Sequence, residues 1–139
     1  MFSSPISSYQ KISLESEIQG ADPVHLITLL FDGAQAALEK AQAQLAVNDF
    51  RGKSDSLTKA ILIIVEGLSA SLNVEQGGEV AERLQALYSY MVARLTHANV
   101  QKDAAAITEV QQLLAELGGA WREIRPNGGG GQNSAKQSP

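Results

Sequence analysis

The segment Leu57-Thr58-Lys59-Ala60-Ile61-Leu62-Ile63-Ile64-Val65-Glu66-Gly67-Leu68-Ser69-Ala70-Ser71-Leu72 decides the fold. Its middle, Ile61 to Val65, is the branched apolar run that fills a buried strand. Its flanks say otherwise. Leu57, Ile61, Ile64, Leu68 and Leu72 recur at steps of three and four, which puts them on one face of a helix. The segment opens near Phe50, and about twenty residues is too long for a typical strand. The spacing predicts a helix from about Phe50 to Leu72.

The same period extends in both directions. Upstream, Asp22-Pro23 offers an N-cap with proline at the first helical position. Ile27, Leu30, Ala34, Leu38, Ala41 and Leu45 follow as an apolar stripe, ended by Asn48-Asp49. Downstream, a third helix is expected after Gly77-Gly78, with Val80, Leu84, Leu87, Met91, Leu95 and Ala98 facing inward. A fourth starts near Asp103, carries Ile107, Val110, Leu114, Leu117, Trp121 and Ile124, and stops at Arg125-Pro126. Helices of similar length joined by short loops pack as antiparallel neighbours. The expected fold is all-α, an antiparallel up-down four-helix bundle over residues 22–125.

The ends read differently. Residues 1–21 mix serine with Ile6, Tyr9, Ile12, Leu14 and Ile18 at no single period, an arm with at most one short helix ending at Gly20. Residues 126–139 are a flexible tail, too polar to offset the entropy of ordering. Gly128 to Gly131 lacks the preceding strand and following helix of a phosphate cradle, so it reads as linker.

Composition narrows the function. The 139 residues are 44% hydrophobic and 19% charged, enough to bury a core. A net charge of −4 argues against a binder of nucleic-acid phosphates. The absence of cysteine removes disulfides and thiolate sites, and two histidines leave little for an imidazole metal site. No cofactor is expected. Met1 to Gln10 shows no secretory pattern, and the longest apolar run falls far short of the roughly 20 residues that cross a bilayer. A cytoplasmic, non-enzymatic protein is expected, with neither nucleic acid nor membrane as partner.

A bundle helix needs one apolar stripe, and three of these helices carry more. Leu26, Leu29 and Phe31 flank the stripe of Ile27 and Leu30. Ile61 to Val65 is apolar around more than a full turn, and Tyr88, Tyr90 and Val92 lie beside Leu87 and Met91. A helix apolar all round must be covered on every side. The cover is the arm with ordinary overpacking, a second copy of the chain, or a partner's apolar helix in a groove.

Several short motifs then fall in one order: Tyr9-Gln10, Ala21-Asp22-Pro23, Leu30-Phe31-Asp32-Gly33-Ala34, Lys59-Ala60-Ile61 and Val65-Glu66-Gly67-Leu68. Gly77-Gly78-Glu79, Leu87-Tyr88-Ser89-Tyr90-Met91, Leu95-Thr96-His97-Ala98-Asn99 and Ala120-Trp121 complete the series. From about Tyr9 to Ile124 the chain resembles the flagellar export chaperone family that guards flagellin (FliS). The resemblance implies a cytoplasmic helical bundle whose apolar grooves hold the disordered C-terminal region of flagellin. It implies protection from premature polymerisation and delivery to the flagellar type III export gate, whose components become candidate partners, as does a second copy of the chain. It also implies that Tyr9, Gln10 and Ile12 of the arm pack over the client surface and rearrange on binding. The other expected client contacts are the surplus apolar residues Leu26, Leu29, Phe31, Leu62, Val65, Tyr88 and Tyr90. Phe31 stands where the family often has tyrosine, and Gly118-Gly119 where it favours a charged helix former. Those glycines are expected to bend or fray the last helix.

The rival from another class is a histidine phosphotransfer domain, also a four-helix bundle. His25 precedes Leu26-Ile27-Thr28-Leu29 with no nearby cation, and His97 is placed to complement its helix's C-terminal dipole. The Glu-x-x-His motif of di-iron bundles is absent. Glu75, Glu79 and Glu82 read as a solvated helix start, and Trp121 as a core-edge aromatic. Tyr88 and Tyr90 project about 200° apart on a helix, so only one of them faces the core.

Overall fold

The computed structural model describes residues 22–124. The expected arm, with Tyr9, Gln10 and Ile12, and the expected tail lie outside the described residues. Among the described residues, four α-helices run in order: α1 Pro23–Ala46, α2 Phe50–Leu62, α3 Val74–Gln101 and α4 Ala104–Glu123. A π-helical segment, Ile63–Ser69, continues directly from α2.

Each helix start carries a side-chain cap for an otherwise orphaned amide. Asp22 accepts from the His25 amide at 2.7 Å ahead of Pro23. Asp103 accepts from the amides of Ala105 and Ala106 at 3.0 and 3.3 Å. Two further caps were not foreseen. Asp49 caps α2 through the Gly52 amide at 3.0 Å, and Asn73 caps α3 through Gln76 at 3.0 Å.

Hydrogen bonds between helices fix the topology. Gln42, late in α1, donates to the Ala104 carbonyl at 3.2 Å and to Thr108 at 3.0 Å at the start of α4. At the other end, Trp121 Nε1 of α4 donates to the Val24 carbonyl of α1 at 3.1 Å. Those two helices are therefore antiparallel. Arg94 of α3 reaches Glu109 of α4 at 2.8 Å, and His97 reaches Asp103 at 3.2 Å, across a tight hairpin. The buried Lys53 at the start of α2 donates from Nζ to the Asn99 carbonyl and Oδ1 near the end of α3, at 2.9 and 2.6 Å. Each helix packs on two neighbours, closing the ring.

Leu38, Leu57, Ile64, Leu68, Met91, Leu95, Ile107, Val110 and Leu114 form the fully buried centre. All of them lie on the stripes read from the sequence. Five details differ from expectation. The helix expected from Phe50 to Leu72 changes to π geometry at Ile63 and ends at Ser69, with the Ala70 amide on the Val65 carbonyl at 3.1 Å. Branched side chains crowd the ordinary turn there, and Gly67 lies so close to α1 that a Cβ would sit 2.9 Å from Leu30 Cδ2. Hydrogen bonding in α3 begins before the glycine pair, yet Gly78 breaks the helix with φ 57° and ψ −132°. Val80 is therefore not a core residue but 68% exposed, and Ala81 and Tyr88 are buried instead. Ile61 is only half-buried and Ile124 is exposed. Finally, α4 runs through Gly118-Gly119 without a break, since Gly118 packs against Phe31 of α1.

Candidate functional site

At the end of the bundle where α1 begins and α4 finishes, the helices do not close on one another. They leave a cleft of about 620 Å³. One wall is the first three turns of α1, with Pro23, Val24, Leu26, Ile27 and Phe31, and another is Leu117 and Trp121 of α4. The third is Ser71 to Asn73, with Gln76, Gly77, Val80, Ala81, Leu84 and Tyr88 of α3.

Local sequence builds each wall. Asp22-Pro23 starts α1 abruptly, and the Trp121 indole ties α4 to that first turn through the Val24 carbonyl. An ion pair between Arg122 and Asp32 repeats the tie outside the cleft. The break at Gly78 turns the short capped stretch before it away from the axis of α3. The α3 wall includes the small residues Gly77 and Ala81 beside the larger Val80, Leu84 and Tyr88, and the described residues leave the space between the walls unfilled. Among the described residues, no charged side chain lines the cleft.

The expected client residues separate into three groups. Leu26, Phe31 and Tyr88 meet at the cleft. Phe31 is not the flanking residue expected: it is 3% exposed and belongs to the core, with one edge on the cleft. Tyr88 is the inward tyrosine at 5% exposure, and burial pushes its phenol above the ordinary tyrosine value. Leu62 and Val65 lie elsewhere, 46% and 44% exposed on the outer side of α2 and the π segment. Leu29 is half-buried and does not line the cleft. Tyr90 is the outward tyrosine, 44% exposed. Its hydroxyl donates to Glu109, which also accepts from Arg94. Those two bonds, the tyrosine's first, hold the Glu109 carboxyl below its ordinary value, and the same bond raises the Tyr90 phenol.

Val24, Ile27, Leu72, Val80, Leu84, Leu117 and Trp121 were not foreseen as cleft residues. Their one sequence signal was Gly77-Gly78, which interrupts α3 and frees Val80 from the core.

The chemistry available is binding. Among the described residues no group of three or more His, Asp or Glu side chains could hold a metal ion, and no helix is long and apolar enough to cross a membrane. The phosphotransfer alternative finds no support at His97, whose Nε2 lies 3.2 Å from the Asp103 carboxylate. An incoming phosphoryl group would meet that anion.

Residues 5–128 match the family described as flagellar protein FliS. The chain is 46% identical over 123 residues to the flagellar secretion chaperone FliS of Salmonella typhimurium, spanning 88% of this chain and 91% of that protein. It is 43% identical over 116 residues to the same-named protein of Escherichia coli, spanning 84% and 85%. With the flagellar secretion chaperone FliSB of Pseudomonas aeruginosa it shares 38% over 119 residues, spanning 86% and 94%. Matched along nearly its whole helical length, the chain belongs to the FliS family of flagellar proteins.

Proposed function

We propose that the chain is a cytoplasmic flagellar secretion chaperone that holds the C-terminal region of flagellin until export. The observation that carries this is the uncharged apolar cleft, which the bundle's described residues leave unfilled. A disordered segment that docks there gains about 25 cal/mol for each Å² of apolar surface it buries. It loses about 1–2 kcal/mol for each residue it orders. A cleft of this volume takes only a few side chains, so a long client needs further apolar contacts. Leu62 and Val65, exposed on another face of the bundle, provide them. A client spread over both surfaces cannot pair with other flagellin subunits, which is how binding would prevent premature polymerisation. Components of the export gate are the next partners expected, and a second copy of this chain competes for the same apolar surface.

Calorimetry with a synthetic peptide of the flagellin C-terminal region tests the reading. Val80→Asp places a carboxylate at the cleft rim and should weaken binding about tenfold or more, since an unpaired charge there must lose water. Its far-UV circular dichroism should not change, because Val80 is 68% exposed. Leu62→Ser with Val65→Ser should give a smaller loss. Undiminished affinity in both the single and the double variant would remove the cleft and the outer patch from the account.

A further inference from the structure

Apolar surface alone would accept almost any greasy segment, and one atom in the cleft asks for more. Tyr88 is 5% exposed and lines the cleft, yet its hydroxyl has no hydrogen-bond partner among the described residues. The other tyrosine of this helix, Tyr90, is satisfied by Glu109, and the Trp121 indole across the cleft by the Val24 carbonyl. The Tyr88 ring is packed in the core, while the hydroxyl is not one of the fully buried polar atoms and keeps access to solvent. Burial also favours the neutral phenol, so the hydroxyl keeps its proton and can donate a hydrogen bond.

We infer that Tyr88 is a specificity-determining residue of the cleft, and that the client segment seated there is uncharged and apolar but carries one hydrogen-bond acceptor, an amide or hydroxyl oxygen, that takes the Tyr88 proton. This deepens the chaperone reading of the same cleft and rests on it. The absence of charged side chains from the lining, among the described residues, sets the remaining chemistry, because a lysine or carboxylate on the client's inner face would be desolvated without a partner. An all-aliphatic segment seated over the hydroxyl would strip its water without replacing it and would be rejected relative to one that satisfies it.

The experiment compares the full chain with its Tyr88→Phe variant, which keeps the ring and its packing. Two dyes are the probes. Prodan carries a ketone that accepts a hydrogen bond, and its emission moves to shorter wavelength when that bond is missing. N-phenyl-1-naphthylamine is of similar size and has no carbonyl. Tyr88→Phe should weaken prodan by about threefold to tenfold, the worth of one neutral hydrogen bond, and blue-shift its bound emission. The second dye should stay within about twofold. The flagellin peptide should lose affinity by the same factor as prodan. Equal responses of the two dyes, or no uptake of prodan, would overturn the inference. Tighter peptide binding by the variant would also overturn it, since the hydroxyl's partner would then be the chain's own residues 1–21. A peptide that fails to bind the unaltered chain, with prodan still discriminating, would refute the flagellin reading and leave the donor role of Tyr88 in place for another client.

Discussion

Gly78 and Gly119 are both glycines within helical segments, and the structure gives them opposite roles. Gly78 holds φ 57° and ψ −132° with nothing near enough to obstruct a Cβ. Only its backbone conformation demands glycine, because side-chained residues reach that region at a cost of about 1–3 kcal/mol. Gly119 sits in the regular turns of α4 and also faces open space. Gly78→Ala should therefore destabilise the protein by about 1–3 kcal/mol. Gly119→Ala should stabilise it by about 0.5–1 kcal/mol, the ordinary helical preference for alanine. Urea denaturation of the two variants checks both signs at once. The sequence started the third helix after Gly77-Gly78, where the structure puts a break inside α3, and expected Gly118-Gly119 to bend or fray the last helix, which runs on unbroken. Nothing local separates the pairs; the packing of Gly118 against Phe31 does.

Between elements, the polar contacts lie along the seams, and the one joining α3 to α4 titrates. Asp103 is held below its ordinary 3.8 chiefly by the Ala106 amide that it caps, with His97 and the Ala105 amide assisting. Glu109 is held below 4.5 by the Tyr90 hydroxyl and then by Arg94. A carboxyl depressed in the folded state adds stability that is complete above its unfolded value and fades as pH falls through the folded one. Acid should therefore loosen this hairpin below about pH 4.5, the ordinary glutamate value. Tyr90→Phe should lose stability at neutral pH, and the gap to the unaltered protein should narrow as the medium is acidified through that window. Urea midpoints measured across the range show it; a constant gap would mean that Tyr90 acts through packing alone. Helix periods were legible from sequence because each stripe repeats over many turns. The inward tyrosine was not. Tyr88 and Tyr90 were known to diverge, but the choice depends on the register of α3, which Val80 misreported and Ala81, Met91 and Leu95 establish. The π segment was hidden for a related reason: its signal, the close approach of Gly67 to Leu30, is a contact between elements distant in sequence.

For the whole molecule, the all-α bundle followed from patterning, and an excess of apolar surface was suspected from the width of the stripes. Its location was only half legible. Leu26, Phe31 and Tyr88 converge on the cleft, while Leu62 and Val65 form a separate exposed patch. A cleft is a space left between three helices, and no helix's own pattern contains it. The account stands on a client segment entering that space, and the chain carries a reporter there. Trp121 is its one tryptophan, and it lines the cleft while bonded to Val24. Titrating the chain with a tryptophan-free peptide of the flagellin C-terminal region, and following Trp121 emission, is the most direct measurement. A saturable change whose midpoint matches the calorimetric affinity is the predicted result. Calorimetric binding with Trp121 emission unmoved would show the client seated elsewhere and would contradict the account.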